Sequence, residues 1–153
     1  MRNDGSTSKT QVAFTWTAPA SNGGATVLDY AIEMDDNNDG IYTQVASGVT
    51  STSHTQTGLS EGTSYMFKVR ARNSVGYSTY SSPFTIVAAT KPEVPTSFLR
   101  NESSTTKTQV AFSWDAPSDT GGSSLIDYSL EMSTSENGSY TEVATGVTAT
   151  EHI

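Results

Sequence analysis

The chain has 153 residues, 34% of them hydrophobic, no cysteine, and a formal charge of −8 from 8 basic and 16 acidic side chains. The missing thiols exclude disulfide frameworks and thiolate metal sites. The acidic balance speaks against nucleic acid and anionic membrane surfaces, both of which need clustered Lys and Arg.

No apolar run approaches the roughly 20 residues of a membrane-spanning helix, so direct membrane insertion is not expected. The start, Met1-Arg2-Asn3-Asp4-Gly5, has no hydrophobic stretch of the kind a secretory signal carries. From there the pattern has a period of two, bounded by turn residues, as short strands with one buried face require. Val12, Phe14 and Trp16 alternate with Ala13 and Thr15, and Ala18-Pro19 stops the strand. Asn22-Gly23-Gly24 makes a turn, since glycine accepts positive φ without penalty. Leu28, Tyr30, Ile32 and Met34 are expected to face inward, with Asp29, Ala31, Glu33 and Asp35 outward. After the loop Asp36 to Gly40 come a short strand over Tyr42 to Val45 and a polar edge strand over Ser51 to Thr57. Tyr65, Phe67, Val69 and Ala71 are expected inward, with Met66, Lys68, Arg70 and Arg72 outward, and Phe84 to Ala88 supplies the last strand. Seven short strands at this spacing predict a two-sheet sandwich.

The pattern then starts again. Lys9-Thr10-Gln11-Val12-Ala13-Phe14-Thr15-Trp16 returns 98 residues later as Lys107-Thr108-Gln109-Val110-Ala111-Phe112-Ser113-Trp114. The offset holds without a gap through Pro19/Pro117, Gly23/Gly121, Tyr30/Tyr128, Met34/Met132, Tyr42/Tyr140 and His54/His152. A period of about 100 residues fits whole domains strung like beads better than solenoid units. The repeat predicts a first unit over 1–90, without the start of its opening strand, and a second over 91–153, without its last strands. Half a sandwich leaves core and strand edges open, so residues beyond about Pro95 are expected to be ordered only when a neighbour or further sequence completes them.

Phe14-Thr15-Trp16-Thr17-Ala18-Pro19, Gly23-Gly24 and Asp29-Tyr30 resemble the second and third strands of a fibronectin type III domain. Leu59-Ser60-Glu61-Gly62-Thr63-Ser64-Tyr65-Met66-Phe67-Lys68-Val69-Arg70-Ala71-Arg72-Asn73 is similar to that family's sixth-strand signature, continued by Gly76 and Ser81. The resemblance spans essentially the whole chain. It implies an all-β fold of tandem immunoglobulin-like sandwiches, with a tyrosine corner in which Tyr65 bonds backbone near Leu59. One departure stands out. Where the family carries an aromatic and an aliphatic residue on the fifth strand, this chain has His54 and Gln56. That strand should be looser unless those polar groups find partners.

Chemistry-bearing residues are sparse. The two histidines occupy equivalent repeat positions, no Ser-His-Asp cluster or phosphate loop is present, and His54 reads as a half-buried strand residue. Catalysis is therefore not expected, and neither is a cofactor. Asp35, Asn37 and Asp39, followed by Gly40, match the first half of an EF-hand-type calcium loop. The acid such a loop needs at its twelfth position is replaced by Ala46, so a solvated hairpin loop is the preferred reading.

Lys68, Arg70 and Arg72 form a basic row on the sixth strand, expected to face Asp29, Glu33 and Asp35 as cross-strand ion pairs. The other reading makes them an interaction face together with Tyr77 and Tyr80. Tyr77-Ser78-Thr79-Tyr80-Ser81 resembles a softened Trp-Ser-any-Trp-Ser element of cytokine-receptor domains, which implies aromatic rings stacked with the cations of the preceding strand. The cell-binding tripeptide Arg-Gly-Asp is absent from the Asn73 to Ser78 loop. Asn101-Glu102-Ser103 and Asn137-Gly138-Ser139 are acceptor sequences for N-glycosylation.

The expected function is non-catalytic modular scaffolding or adhesion in a larger tandem-repeat protein, outside the cell or on its surface, with protein, glycan or neighbouring repeats as partners. Two alternatives keep the fold. One is an intracellular cytoskeletal or ciliary scaffold, the other an accessory module of a secreted polysaccharide-acting enzyme.

Overall fold

A computed structural model describes residues 1–36 and 38–153. They form eleven strands and a single three-residue 3-10 turn at Asp4–Ser6. The chain divides into two compact units, Met1–Thr90 and Lys91–Ile153.

The first unit holds six strands: β1 (Gln11–Thr15), β2 (Asp29–Asp35), β3 (Thr43–Val49), β4 (Ser53–Thr57), β5 (Ser64–Arg72) and β6 (Phe84–Val87). β1 pairs with β4, and a second sheet runs in the order β3-β2-β5-β6. All pairings are antiparallel, so each strand can present one face to the facing sheet. Val12 and Phe14 from β1 meet Ile32, Tyr65, Phe67 and Ile86 from the larger sheet. Phe14 is the centre of this core, with ring centroids 4.8 Å from Phe67, 5.0 Å from Phe84 and 6.1 Å from Trp16. Trp16 is only partly buried and meets Tyr30 edge-on at 5.3 Å.

The tyrosine corner is present. Ser60 N–H donates to the Tyr65 hydroxyl oxygen at 2.9 Å, tying the β4–β5 connection to the core strand. Tyr65→Phe removes that acceptor and leaves a backbone donor unpaired, so chemical denaturation should show a loss of about 1–2 kcal/mol. The polar residues on β4 also find partners. His54 lies edge-on to Phe14 at 5.7 Å and its Nε2 is 3.3 Å from Gln56 Oε1, while Gln56 Nε2 donates to Thr57 C=O. The β1–β4 ladder accordingly runs unbroken over five residue pairs.

Strict alternation fails in three places. Leu28 was expected inward but is 54% exposed, because the core ends at the Trp16–Tyr30 contact. Asp29, Ala31 and Asp35 were expected outward, yet all three are buried. On this strand both faces are covered, one by the core and the other by the side chains described below. Ala13 is buried too, where the preceding segment bonds to it through Asn3 N–H to Ala13 C=O and Ala13 N–H to Thr7 Oγ1.

The second unit contains β7 (Thr96–Arg100), β8 (Phe112–Asp115), β9 (Tyr128–Met132), β10 (Thr141–Val147) and β11 (Glu151–His152). They pair as β11-β8-β7 and β10-β9. The repeat preserves one aromatic contact, with Trp114 meeting Tyr128 edge-on at 5.3 Å as Trp16 meets Tyr30. It is not exact in burial. Val12 is fully buried, while its counterpart Val110 is 48% exposed, and Phe98, Met132 and Tyr140 are exposed as well. Among the described residues, no strand pairs with the second edge of β9, the edge that β5 occupies on β2.

Candidate functional site

The chemistry-bearing side chains converge on the outer face of the larger sheet. β5 places Lys68, Arg70 and Arg72 on one side because successive strand residues alternate. The register sets Lys68 opposite Glu33, Arg70 opposite Ala31 and Arg72 opposite Asp29. Lys68 Nζ is 3.0 Å from Glu33 Oε2, and Arg72 grips Asp29 with two guanidinium nitrogens, Nε at 3.0 Å. Asp35 faces Met66 across the sheet.

The returning segment covers these cations through a different period. Ser78 and Ser81, three apart, each make two bonds to alternate residues of β5. Ser78 N–H donates to Ala71 C=O and Ser78 Oγ accepts Ala71 N–H, and Ser81 does the same with Val69. A three-residue repeat is that of an extended polyproline-type segment, and it turns Tyr77 and Tyr80, also three apart, onto the cation row. The result is an alternating stack. Lys68 Nζ sits 3.9 Å from the Tyr42 ring centre and 4.4 Å from that of Tyr80. Arg70 lies 4.7 Å from Tyr80 and 4.2 Å from Tyr77, and Arg72 5.5 Å from Tyr77. The ring faces carry the negative end of the quadrupole, so each ring shields one cation from the next.

Glu33 pins the stack at one end, accepting from the Tyr80 hydroxyl as well as from Lys68. Burial alone would raise the Glu33 carboxyl, but the Tyr80 hydroxyl, Lys68 and Arg70 together hold it below the ordinary value. Tyr80 shifts the other way, raised by burial and by its bond to Glu33. A depressed carboxyl stabilises the fold above its unfolded pKa, and that stability is lost as pH falls through the folded value. Glu33→Gln should therefore flatten the acid side of the stability profile, measured as denaturation midpoint against pH. A raised tyrosine loses its contribution as pH climbs through its titration, so Tyr80→Phe should flatten the alkaline side.

Lys68, Arg70, Arg72, Tyr77 and Tyr80 are thus brought together. Tyr42 belongs to the stack but was not foreseen, since nothing in the spacing of the loop before β3 signals it. Two grooves flank the stack. One of about 450 Å³ lies between the Ser21–Gly23 turn and the Asn73–Ser78 loop, and the other, of about 290 Å³, runs beside Trp16, Pro19, Tyr30, Arg70 and Tyr80.

The remaining sequence candidates lie elsewhere. Asp35 is fully buried and its carboxylate accepts Gly40 N–H at 2.9 Å and Asp39 N–H at 3.4 Å. Asp39 Oδ1 accepts Ile41 N–H, and Asn37 lies outside the described residues. Both acids are occupied in closing their own hairpin loop. Among the described residues no cluster of three or more His, Asp or Glu is placed to hold a metal ion. Asn101 is half-buried and its Oδ1 accepts both the N–H and the hydroxyl of Ser103, whereas Asn137 is exposed. No helix among the described residues is long and apolar enough to cross a membrane.

Comparison with known proteins gives concordant matches. The sequence profile of the fibronectin type III domain matches residues 4–87. Exoglucanase B of Cellulomonas fimi is 32% identical over 94% of this chain and 14% of its own length. Fibronectin type-III domain-containing protein 3a of Gallus gallus is 28% identical over 94% of this chain and 12% of its own. Titin domains A168–A170 superpose with a TM-score of 0.51 at 32% identity, covering 54% of this chain and 28% of that one. The chain spans a small part of each of these proteins.

Proposed function

The chain belongs to the fibronectin type III family, and on that premise we propose that it is a non-catalytic piece of a modular array, in which residues 1–90 and 91–153 are successive modules that space and present binding surfaces. Domains of this family are typically non-catalytic. The observation that carries the reading is the state of the cation row. Its two end members are paired with carboxylates and all three are stacked on tyrosines. Charges so engaged stiffen a face and are not poised for proton transfer. The exposed rim of that face, with Arg72 and Tyr77, is where a protein or glycan partner would meet it. We place the array outside the cell or on its surface, where Asn101 and Asn137 could carry glycans.

A second reading, an accessory module of a polysaccharide-acting enzyme, is favoured by the match to exoglucanase B over 94% of this chain. An intracellular scaffold role is favoured by the likeness to titin domains. The full-length open reading frame separates these, and one assay on the purified chain tests the non-catalytic reading. Incubation with cellulose and xylan should release no reducing sugar above a heat-denatured control. Turnover that persists through re-purification and disappears on Glu33→Gln would overturn it. Calcium is expected to leave the unfolding temperature unchanged at millimolar concentration. A rise abolished by Asp39→Ala would instead assign a site at Asp35, Asn37 and Asp39.

A further inference from the structure

The sequence contains two Asn-Gly pairs, Asn22-Gly23 in the connection between β1 and β2 and Asn137-Gly138 in the loop between β9 and β10. Such a pair can cyclise, because glycine puts no side chain in the way of its own nitrogen and its backbone turns freely. Both asparagines are exposed. They differ in how the surrounding atoms hold the groups that would react.

At Asn22 three hydrogen bonds fall on those groups. Gly24 N–H donates to Asn22 Oδ1 at 3.0 Å, so a donor already sits where an oxyanion would form on the side-chain carbonyl. Asn73 Nδ2, reaching across from the end of β5, donates to Asn22 C=O at 2.8 Å. That carbonyl shares its peptide with Gly23 N, and a hydrogen bond to it favours the deprotonated form of the peptide. Gly23 N–H itself points at the Ser21 hydroxyl at 3.3 Å, a long bond to a group that can pass a proton on to solvent.

Gly138 and Gly40 provide the contrast. Gly138 N–H donates to the main-chain carbonyl of Ser135 at 3.1 Å, and the Ser133 and Ser135 side chains crowd its Cα. Asp39-Gly40, which stands at the same repeat position, has its glycine N–H on the buried Asp35 carboxylate at 2.9 Å. A negative charge there opposes loss of the proton.

We propose that Asn22 is a site of spontaneous covalent modification, converting to aspartyl and isoaspartyl forms, with Gly24 and Asn73 as its positioning donors. Gly23 N loses its proton and bonds to Asn22 Cγ, the Cγ–Nδ2 bond breaks, and Nδ2 takes up a proton and leaves as ammonia. Solvent water then opens the cyclic imide at either carbonyl. Both products put a negative charge beside Asn73. The isoaspartyl form also routes the main chain through the former side chain, which moves the carbonyl that Asn73 holds. Conversion thus loosens the tie between the two loops that line the groove of about 450 Å³. The inference rests on these bonds and stands whether or not the chain is a spacer.

The test ages the full 153-residue chain in mildly alkaline buffer, folded and in urea. Mass increase and isoaspartyl content are then localised by peptide fragmentation. In the folded chain residue 22 should convert about fivefold faster than residue 137, a ratio that one or two exposed hydrogen bonds support. In urea the two rates should come within about twofold of each other, since only the sequence then acts. Asn73→Asp keeps the acceptor for the Val75 and Gly76 amides but loses the donation to Asn22. It should slow conversion at residue 22 about threefold and leave residue 137 unchanged. Residue 137 keeping pace with residue 22 in the folded chain would overturn the proposal, and this comparison needs no variant. The same ratio folded and unfolded, or an unchanged rate at residue 22 in folded Asn73→Asp, would overturn it too.

Discussion

Phe14→Ala should destabilise the first unit by about 3–5 kcal/mol, the cost of emptying a core position whose surroundings cannot collapse. Phe14 is fully buried and touches Phe67, Phe84, Trp16 and His54, which come from both sheets. Removing its ring separates the sheets at their centre. The repeat provides an internal control. Phe112 occupies the equivalent place in the second unit but is only half-buried, with Phe98 and β8–β11 neighbours in place of a facing four-stranded sheet. Phe112→Ala should leave the transition followed through Trp16 within about 0.5 kcal/mol of the parent. Trp16→Ala should fall near the low end of the Phe14 range, because part of its ring already meets water. Urea denaturation of the three variants ranks them.

The second large effect is expected at Asp35. Its side chain is buried on a strand and satisfied by the amides of Asp39 and Gly40, so it works as a cap that closes the β2–β3 loop. Asp35→Ala leaves those amides without their acceptor and should cost about 1.5–3 kcal/mol, the range for hydrogen bonds to charged groups. Asp35→Asn keeps one acceptor oxygen and should cost less. Gly40 has φ of +83°, which favours glycine, so Gly40→Ala should add a smaller penalty at the same turn.

Much of this architecture is legible in the residues. The alternation of Tyr65, Phe67 and Ala71 against Lys68, Arg70 and Arg72 follows from the pleat, and the burial of β5 agrees with it. The Lys68–Glu33 and Arg72–Asp29 pairs were expected from opposite charge on neighbouring strands. Asp35 shows where such reading stops. Its place in the alternation points outward, and only a loop folding back over the strand end makes it buried. That depends on how several residues later in the chain return, which a period-two pattern does not encode. The tyrosine stack is intermediate. Ser78 and Ser81 at a spacing of three could be seen, together with Tyr77 and Tyr80, but Tyr42 comes from the connection before β3, and a ring in a connecting segment carries no periodic signal of the cation it meets.

Residues 1–90 form a cross-braced sandwich with a buried core, whereas in residues 91–153 Phe98, Val110, Met132 and Tyr140 are exposed. Amide hydrogen exchange of the intact 153-residue chain, read by mass spectrometry at peptide resolution, tests this contrast most directly. Peptides covering β1, β2 and β5 should exchange slowest, at rates set by global unfolding of the first unit. Peptides covering β7 to β11 should exchange at least a hundredfold faster under the same conditions. Equal, slow exchange across both units in a monomer would contradict it, because a half-covered β9 would then be as well protected as β2.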